Sequence, residues 1–332
     1  MPAGVNSFQR LRPCQNLRVL SVLLITFPFF ALVACGFIAT WRGVLPLAAI
    51  PGLNAFVLYF ALPCMLYRFG AQTPIAQLLD VNVTVVYLLC GLLMVGTTVM
   101  LTRRRMGWND AAFGALVAAF PNTGFMGVPM LVALLGAQSA GPVIVTMAID
   151  MILTTSLCIG LSRLDLAGGL WPALRNAFKG MLANPMPWSI ALGGMASAMG
   201  WVLPGPVDQT VAMLAAAASP VALFTIGAVL ARSQRNSHER VAARDYVPIA
   251  LAKLVVHPLL VFAVGKAAMA LGLPLSQSAL VVLVLLAALP SASNVSLLTE
   301  RYGAHSGRVA RIILVSTSLA FLTFSAAVAL MV

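Results

Sequence analysis

"LAALPSASNVSLLTERYG", Leu286 to Gly303, drops a proline and three polar side chains, Ser291, Ser293 and Asn294, into an otherwise apolar run. Proline has no N–H for the preceding turn, and its ring clashes with the carbonyl four residues back, so a helix opens at Pro290. A second stretch has the same build. "AAFPNTGFMGVPMLVALLG", Ala118 to Gly136, also runs from two alanines through an apolar residue and a proline to a polar cluster, then to an apolar turn closed by glycine. What these two breaks mean depends on the medium around them.

That medium is lipid. The chain has 332 residues, 61% of them hydrophobic and only 8% charged, with a mean hydropathy of +0.99. A soluble domain of this size cannot hide so much apolar surface. The apolar stretches are about 20 residues long, the length a helix needs to cross the hydrocarbon core. Strand-type alternation is missing, so an all-α membrane protein is expected rather than a barrel. The net charge of +12 suggests nucleic acid at first sight. In a helical membrane protein, however, basic residues gather in cytoplasmic loops, so lipid and not nucleic acid is the expected surroundings. The five cysteines, at positions 14, 35, 64, 90 and 158, lack metal-ligand spacing, and neither a metal nor a cofactor is expected. "LVAC", Leu32 to Cys35, resembles a lipoprotein cleavage box, but the apolar run continues to Thr40 and reads as a first span.

Ten transmembrane spans are predicted, at 19–40, 49–70, 81–102, 110–136, 141–162, 187–204, 208–231, 247–270, 275–300 and 307–331. They divide the chain into a tail (1–18), a first five-helix repeat (19–162), an interfacial linker (163–186) and a second five-helix repeat (187–332). In the linker, "WPALRNAFKGML" places Trp171, Leu174, Phe178, Met181 and Leu182 on one helical face, with Arg175 and Lys179 along its edge. Of the 20 Lys and Arg, Lys253 lies within a span, fourteen lie on the odd-to-even connections and five on the other side. The positive-inside rule then places both termini in the periplasm of a bacterial inner membrane.

Five spans per repeat is an odd number, so the second repeat is expected to be inverted. Inverted repeats with broken helices in matching places are the pattern of secondary transporters. Helices 4 and 9, broken at Pro121 and Pro290, are expected to cross at the bilayer midplane. Their following half-helices would aim N-terminal partial positive charge at one point, which suits an anion. Asn122, Thr123, Ser291, Ser293 and Asn294 would hydrogen-bond it, and Gly124 and Gly127 would allow close backbone approach.

"PNTGFMGVP" (Pro121–Pro129) and "ALPSASNVSLLTERYG", with "GLNAFVLYFALPCML" (Gly52–Leu66), "SPVALFTIGAVLA" (Ser219–Ala231) and "KLVVHPLL" (Lys253–Leu260), resemble the auxin efflux carrier family. The likeness is strongest to its bacterial members that carry malonate or related organic acids, and it covers the chain from Leu20 onward. The resemblance implies a fold similar to that of bile-acid/sodium symporters, with helices 1, 2, 6 and 7 as scaffold and helices 3, 4, 5, 8, 9 and 10 as transport domain. It also implies elevator-like alternating access and a homodimer. Carried over, Pro121, Asn122, Thr123, Gly124, Pro290, Ser291, Ser293 and Asn294 form the substrate site. The bile-acid relatives bind sodium partly through an acidic residue in the second crossover helix. This chain has none there before Glu300, so sodium coupling is not expected.

Two ionisable residues lie deep inside spans, Asp150 in "TMAIDMIL" and Lys253 in "LAKLVVHP". Charges at such depth cost about 2.5–3.5 kcal/mol each on insertion scales and are usually paired or functional. They are expected to pair near the crossover, with His257 one turn further on, and either to couple transport to protons or to serve as a fixed ion pair. No metalloprotease motif, aspartate pair or nucleophile–base set is present, so no enzyme is expected. The reading is a secondary transporter of a small organic anion, malonate or another dicarboxylate. Its rivals are a carrier of larger amphipathic acids and a transporter-derived ligand sensor.

Overall fold

The computed structural model describes residues 15–73, 80–164, 175, 185–236 and 241–332. The interfacial helix expected at 171–182 lies, apart from Arg175, outside the described residues. In chain order the helices are α1 (Gln15–Trp41), α2 (Leu47–Gln72), α3 (Val81–Ala119), α4 (Thr123–Leu135), α5 (Ala140–Ser162), α6 (Pro185–Met199), α7 (Gly205–Asn236), α8 (Val247–Ala270), α9 (Gln277–Ala287), α10 (Val295–Tyr302) and α11 (Ser306–Met331). The protein is an all-α, multi-helix membrane protein.

Ten spans in two inverted five-helix repeats, the symporter-like arrangement expected from sequence, are not found. Among the described residues six helices are long and apolar enough to cross a membrane: α2, α3, α5, α7, α8 and α11 up to Met331. Three apolar stretches fall short of that length: Thr26–Trp41 within α1, then α4 and α9. The reason lies in the breaks themselves. Pro290 divides the expected span 275–300 into α9, of 11 residues, and α10, of 8. At 1.5 Å per residue these are about 16 and 12 Å long, well short of a hydrocarbon core of about 30 Å. The expected span 110–136 is likewise divided at Pro121, and its first part is the segment of α3 beyond a kink at Gly107 (φ 76°, ψ 169°), where two helical segments meet. The expected span 187–204 shortens to α6, of 15 residues, because Gly200 takes φ 63° and ends the helix.

Helix packing rests on glycine at two crossings. α1 packs along α7, and α6 along α2. A Cβ on Gly36 would strike the carbonyl of Phe224, and one on Gly227 would strike the carbonyl of Val33 and come within 2.6 Å of Phe37 N. At the other crossing a Cβ on Gly70 would lie 3.0 Å from the Ile190 carbonyl. Small residues let membrane helices approach backbone to backbone, where lipid supplies no hydrophobic drive between them.

Four helices widen locally into π turns: Val57–Ala61 in α2, Thr123–Gly127 in α4, Asp150–Thr154 in α5 and Ala252–Val256 in α8. Three of these have a visible cause. Pro63, Pro129 and Pro258 each follow two residues after the turn, and the carbonyl each would clash with lies inside it. No proline follows the turn that begins at Asp150. There Thr155 Oγ1 donates to the Asp150 carbonyl at 2.8 Å, so side-chain chemistry holds the widening.

Contacts between connections define two ends. At one end Arg235 donates to the Thr40 carbonyl, Arg105 pairs with Asp245, and Arg311 donates to the Val241 carbonyl. At the other, Arg68 pairs with Asp208 at 2.6 Å and Asn82 donates to the Pro274 carbonyl. The first end also holds a buried clamp: Arg308 reaches Asp110 Oδ1 at 3.1 Å, and Asp110 accepts from His305 N–H at 2.8 Å. His305 caps α11, accepting from Arg308 N–H through Nδ1. The Arg308 side chain is only 5% exposed, against 25% for Asp110. Removing one partner of a buried pair strands the other charge, at about 3–5 kcal/mol. Asp110→Ala is therefore expected to destabilise the protein by about 3 kcal/mol, the lower end because Asp110 is partly wet. Thermal unfolding in detergent checks this; an unchanged midpoint would mean that Arg308 finds water instead.

Candidate functional site

The two proline breaks meet. Asn122 N–H donates to the Pro290 carbonyl at 2.8 Å, and Ala292 N–H donates to the Phe120 carbonyl at 3.0 Å, so Pro121 and Ser291 face each other as a single antiparallel bridge. Each broken helix thus supplies the partner that the other lost. Pro121 has no N–H for the Val117 carbonyl four residues back, and Ser291 Oγ donates to it at 2.7 Å. Ser291 N–H turns away to Ser316 Oγ at 3.2 Å, leaving the Ala287 carbonyl without its helical donor. Lys253 Nζ takes that carbonyl at 2.6 Å. Hydrogen bonds therefore consume Ser291 in holding the crossing, although the sequence pointed to it as a ligand-binding group.

Other polar groups around the crossing stay uncommitted. Asn122 is 3% exposed, and among the described residues its carboxamide has no hydrogen-bond partner; Thr123 Oγ1 is buried and unpaired among them. Asn294 stands at the N-cap of α10 without capping the helix through its side chain. Asn122, Thr123, Gly124 and Asn294 line one narrow cleft, walled by Leu62, Phe125, Met147 and Met151. Ser293 faces an adjoining cleft that shares Phe125 and Asn294. Gly127 is needed for close approach, since a Cβ there would come within 2.9 Å of Leu289 Cδ1; Gly124 is not, its nearest neighbour being Met147 Sδ at 3.6 Å.

The buried charges do not touch each other. Asp150, 1% exposed, accepts from Tyr87 Oη at 2.7 Å and from Thr154 Oγ1 at 3.2 Å. Lys253, fully buried, donates to His257 Nδ1 at 3.0 Å besides the Ala287 carbonyl. The Tyr87 and His257 rings lie 6.4 Å apart between centroids, and His257 Nε2 is buried without a partner. The result is a row running from Asp150 through Tyr87 and His257 to Lys253, and through Lys253 to the open end of α9. Among the described residues no three His, Cys, Asp or Glu side chains come together as a metal site.

A family profile described as "Membrane transport protein" matches residues 22–164 and 170–328. The chain belongs to this family. It is the family, of the auxin efflux carrier type, that the motifs around Pro121 and Pro290 pointed to, and it makes the protein a transporter rather than an enzyme. The transporter is 28% identical over 313 residues to a protein of Rhizobium meliloti (strain 1021) named "Putative malonate transporter", covering 90% of this chain and 92% of that one. It is 27% identical over 310 residues to an "Uncharacterized transporter" of Methanothermobacter thermautotrophicus, covering 92% of this chain and 94% of the relative. Over 200 residues it is 25% identical to "Uncharacterized transporter YfdV" of Escherichia coli (strain K12), covering 59% of this chain and 60% of the other.

Sequence reasoning missed three polar partners in this transporter. Thr154 was within reach, since it lies one helical turn from Asp150. Tyr87 and Ser316 gave no local signal, because the group each meets at the site lies on another element of the chain.

Proposed function

We propose that this protein is a secondary transporter of a small organic anion, a dicarboxylate of about the size of malonate, bound where the broken helices cross. The observation that carries the reading is a set of polar groups without a side-chain partner among the described residues, Asn122, Thr123 and Asn294, around one cleft beside the N-terminus of α10. Neutral donors and a helix N-terminus suit a carboxylate. The named relative favours malonate within that class. Movement would be elevator-like, with α3–α5 and α8–α11 shifting against a scaffold of α1, α2, α6 and α7. The glycine crossings that tie α1 to α7 and α2 to α6 support that division. The end rich in arginine is assigned to the cytoplasm of a bacterial inner membrane, with both termini outside. A homodimer follows from the family resemblance alone.

Uptake of labelled malonate into proteoliposomes holding the purified protein tests the reading. Saturable uptake, inhibited by unlabelled malonate and more weakly by acetate, is expected. Inhibition by indole-3-acetate alone would move the substrate to the larger amphipathic acids, and binding without flux would indicate a sensor.

Coupling is assigned to protons through Asp150. Buried ionisable groups that are not neutralised by direct contact mark proton and ion pathways in membrane proteins. Asp150→Asn keeps the shape and an acceptor for Tyr87 but cannot exchange a proton. Malonate uptake by this variant is expected to lose its response to an imposed pH gradient, and a gradient response equal to that of wild type would rule out Asp150 as the coupling group.

A further inference from the structure

A second, narrow cleft, with room as it stands for about one water molecule, lies between α2, α7 and the second break. Its polar lining is Asn54, Arg232, Ser293 and Asn294, and Phe125 and Asn294 also line the cleft at the crossing. Among the described residues none of the four has a hydrogen-bond partner for its side chain. Ser296, on the same wall, is already committed to the Ser293 carbonyl at 2.8 Å. Arg232 stands apart from the other arginines that are not fully exposed. Among the described residues Arg68 pairs with Asp208, Arg308 with Asp110, Arg311 donates to the Val241 carbonyl and Arg163 lies over the Tyr302 ring. Among the described residues Arg232, half-buried, has no partner, and Asn54 faces the same space from α2.

We propose that Arg232 and Asn54 form an anion-recognition site in this cleft, where a substrate carboxylate is held on its way to or from the crossing. The proposal rests on the carboxylate-transporter reading. Guanidinium is planar, always charged and able to hold a carboxylate by two parallel hydrogen bonds, and a half-buried setting screens it less than open water would. Asn54 supplies a neutral donor across the cleft, and Ser293 and Asn294 continue the polar path to the crossing cleft. Arg232 is thereby a specificity-determining residue: it favours charged carboxylates over neutral acids and amides of the same shape. A plain solvated charge near a helix C-terminus, the competing account, would leave ligand affinity untouched.

The test is equilibrium binding of malonate, and of its neutral diamide as control, to purified protein in detergent. Wild type is compared with Arg232→Gln, Arg232→Lys and Asn54→Ala, with thermal midpoints recorded for each. Loss of a charge-assisted bidentate contact is expected to weaken malonate binding about 10- to 100-fold in Arg232→Gln, with partial recovery in Arg232→Lys. Asn54→Ala is expected to weaken it less, and the preference for malonate over the diamide should narrow in step. Wild-type affinity in a folded Arg232→Gln, with wild type itself binding malonate, overturns this proposal and leaves the transport reading standing. A wild type that neither binds nor moves malonate overturns both. Should Arg232→Gln fail to fold, Arg232→Lys and Asn54→Ala decide in its place, unchanged affinity in both being the contrary result.

Discussion

Gly227→Leu is expected to disrupt the protein more than any other single change in its helix packing. α1 and α7 touch backbone to backbone, and the space a side chain would need at position 227 is filled by the Val33 carbonyl and by Phe37 N. Inserting atoms into a packed core costs about 1–3 kcal/mol where neighbouring side chains can turn aside. Here the obstacle is main chain inside a helix, which cannot turn, so the helices must part. Parting them loses the dispersion contacts that are the chief attraction between helices in lipid. We expect a cost of about 3 kcal/mol or more. Expression as a monodisperse particle in detergent, and the thermal midpoint, would both fall. Gly36→Leu, which meets the Phe224 carbonyl from the other side, should behave alike. Gly52→Leu is the control, because a Cβ there meets nothing within 4 Å. Equal stability of Gly227→Leu and Gly52→Leu would show that α1 and α7 do not pack as described.

The breaks were legible in the sequence, and the span count was not. Pro121 and Pro290 announced themselves because proline in an apolar run has one physical consequence, and the polar residues beside each pointed to a common use. Counting apolar windows went wrong for the same reason. A window cannot tell a continuous helix from two short ones, so the halves on either side of Pro290 read as a single span. At "RRRMGWND", Arg103 to Asp110, the polar residues suggested a loop, and the structure has there a kink at Gly107 where two helical segments meet. Gly107, with its positive φ, and not the charge beside it, ends the first of the two helical segments.

In the site, composition identified which residues are costly to bury but not what they touch. Asp150 and Lys253 were evident as charges in spans, and a direct pair was the simplest expectation. The structure gives Asp150 to Tyr87 and Thr154, and gives Lys253 to His257 and the Ala287 carbonyl. That carbonyl is free only because Ser291 N–H turns to Ser316, a consequence of tertiary structure that no spacing rule contains. Likewise Ser291 and Asn294 looked equivalent as polar neighbours of Pro290. One proves to be structural mortar, while the other keeps its side chain free.

Asn122→Ala and Asn294→Ala carry the largest expected functional effect. Among the described residues neither carboxamide has a hydrogen-bond partner, so truncation strands none of their groups and stability should hold near that of wild type. Both line the same cleft at the crossing. A hydrogen bond to a charged carboxylate contributes about 1.5–3 kcal/mol, or roughly 10- to 150-fold in affinity. Each substitution is therefore expected to lower the efficiency of malonate uptake about 10- to 100-fold, and the double substitution to bring it to background.

Initial rates of labelled malonate uptake into proteoliposomes, for wild type, Asn122→Ala and Asn294→Ala at equal amounts of folded protein, decide whether the crossing is the substrate site. We predict saturable uptake by wild type and its near loss in both variants with unchanged thermal midpoints. Wild-type rates in both variants would contradict it and place the substrate elsewhere in the molecule.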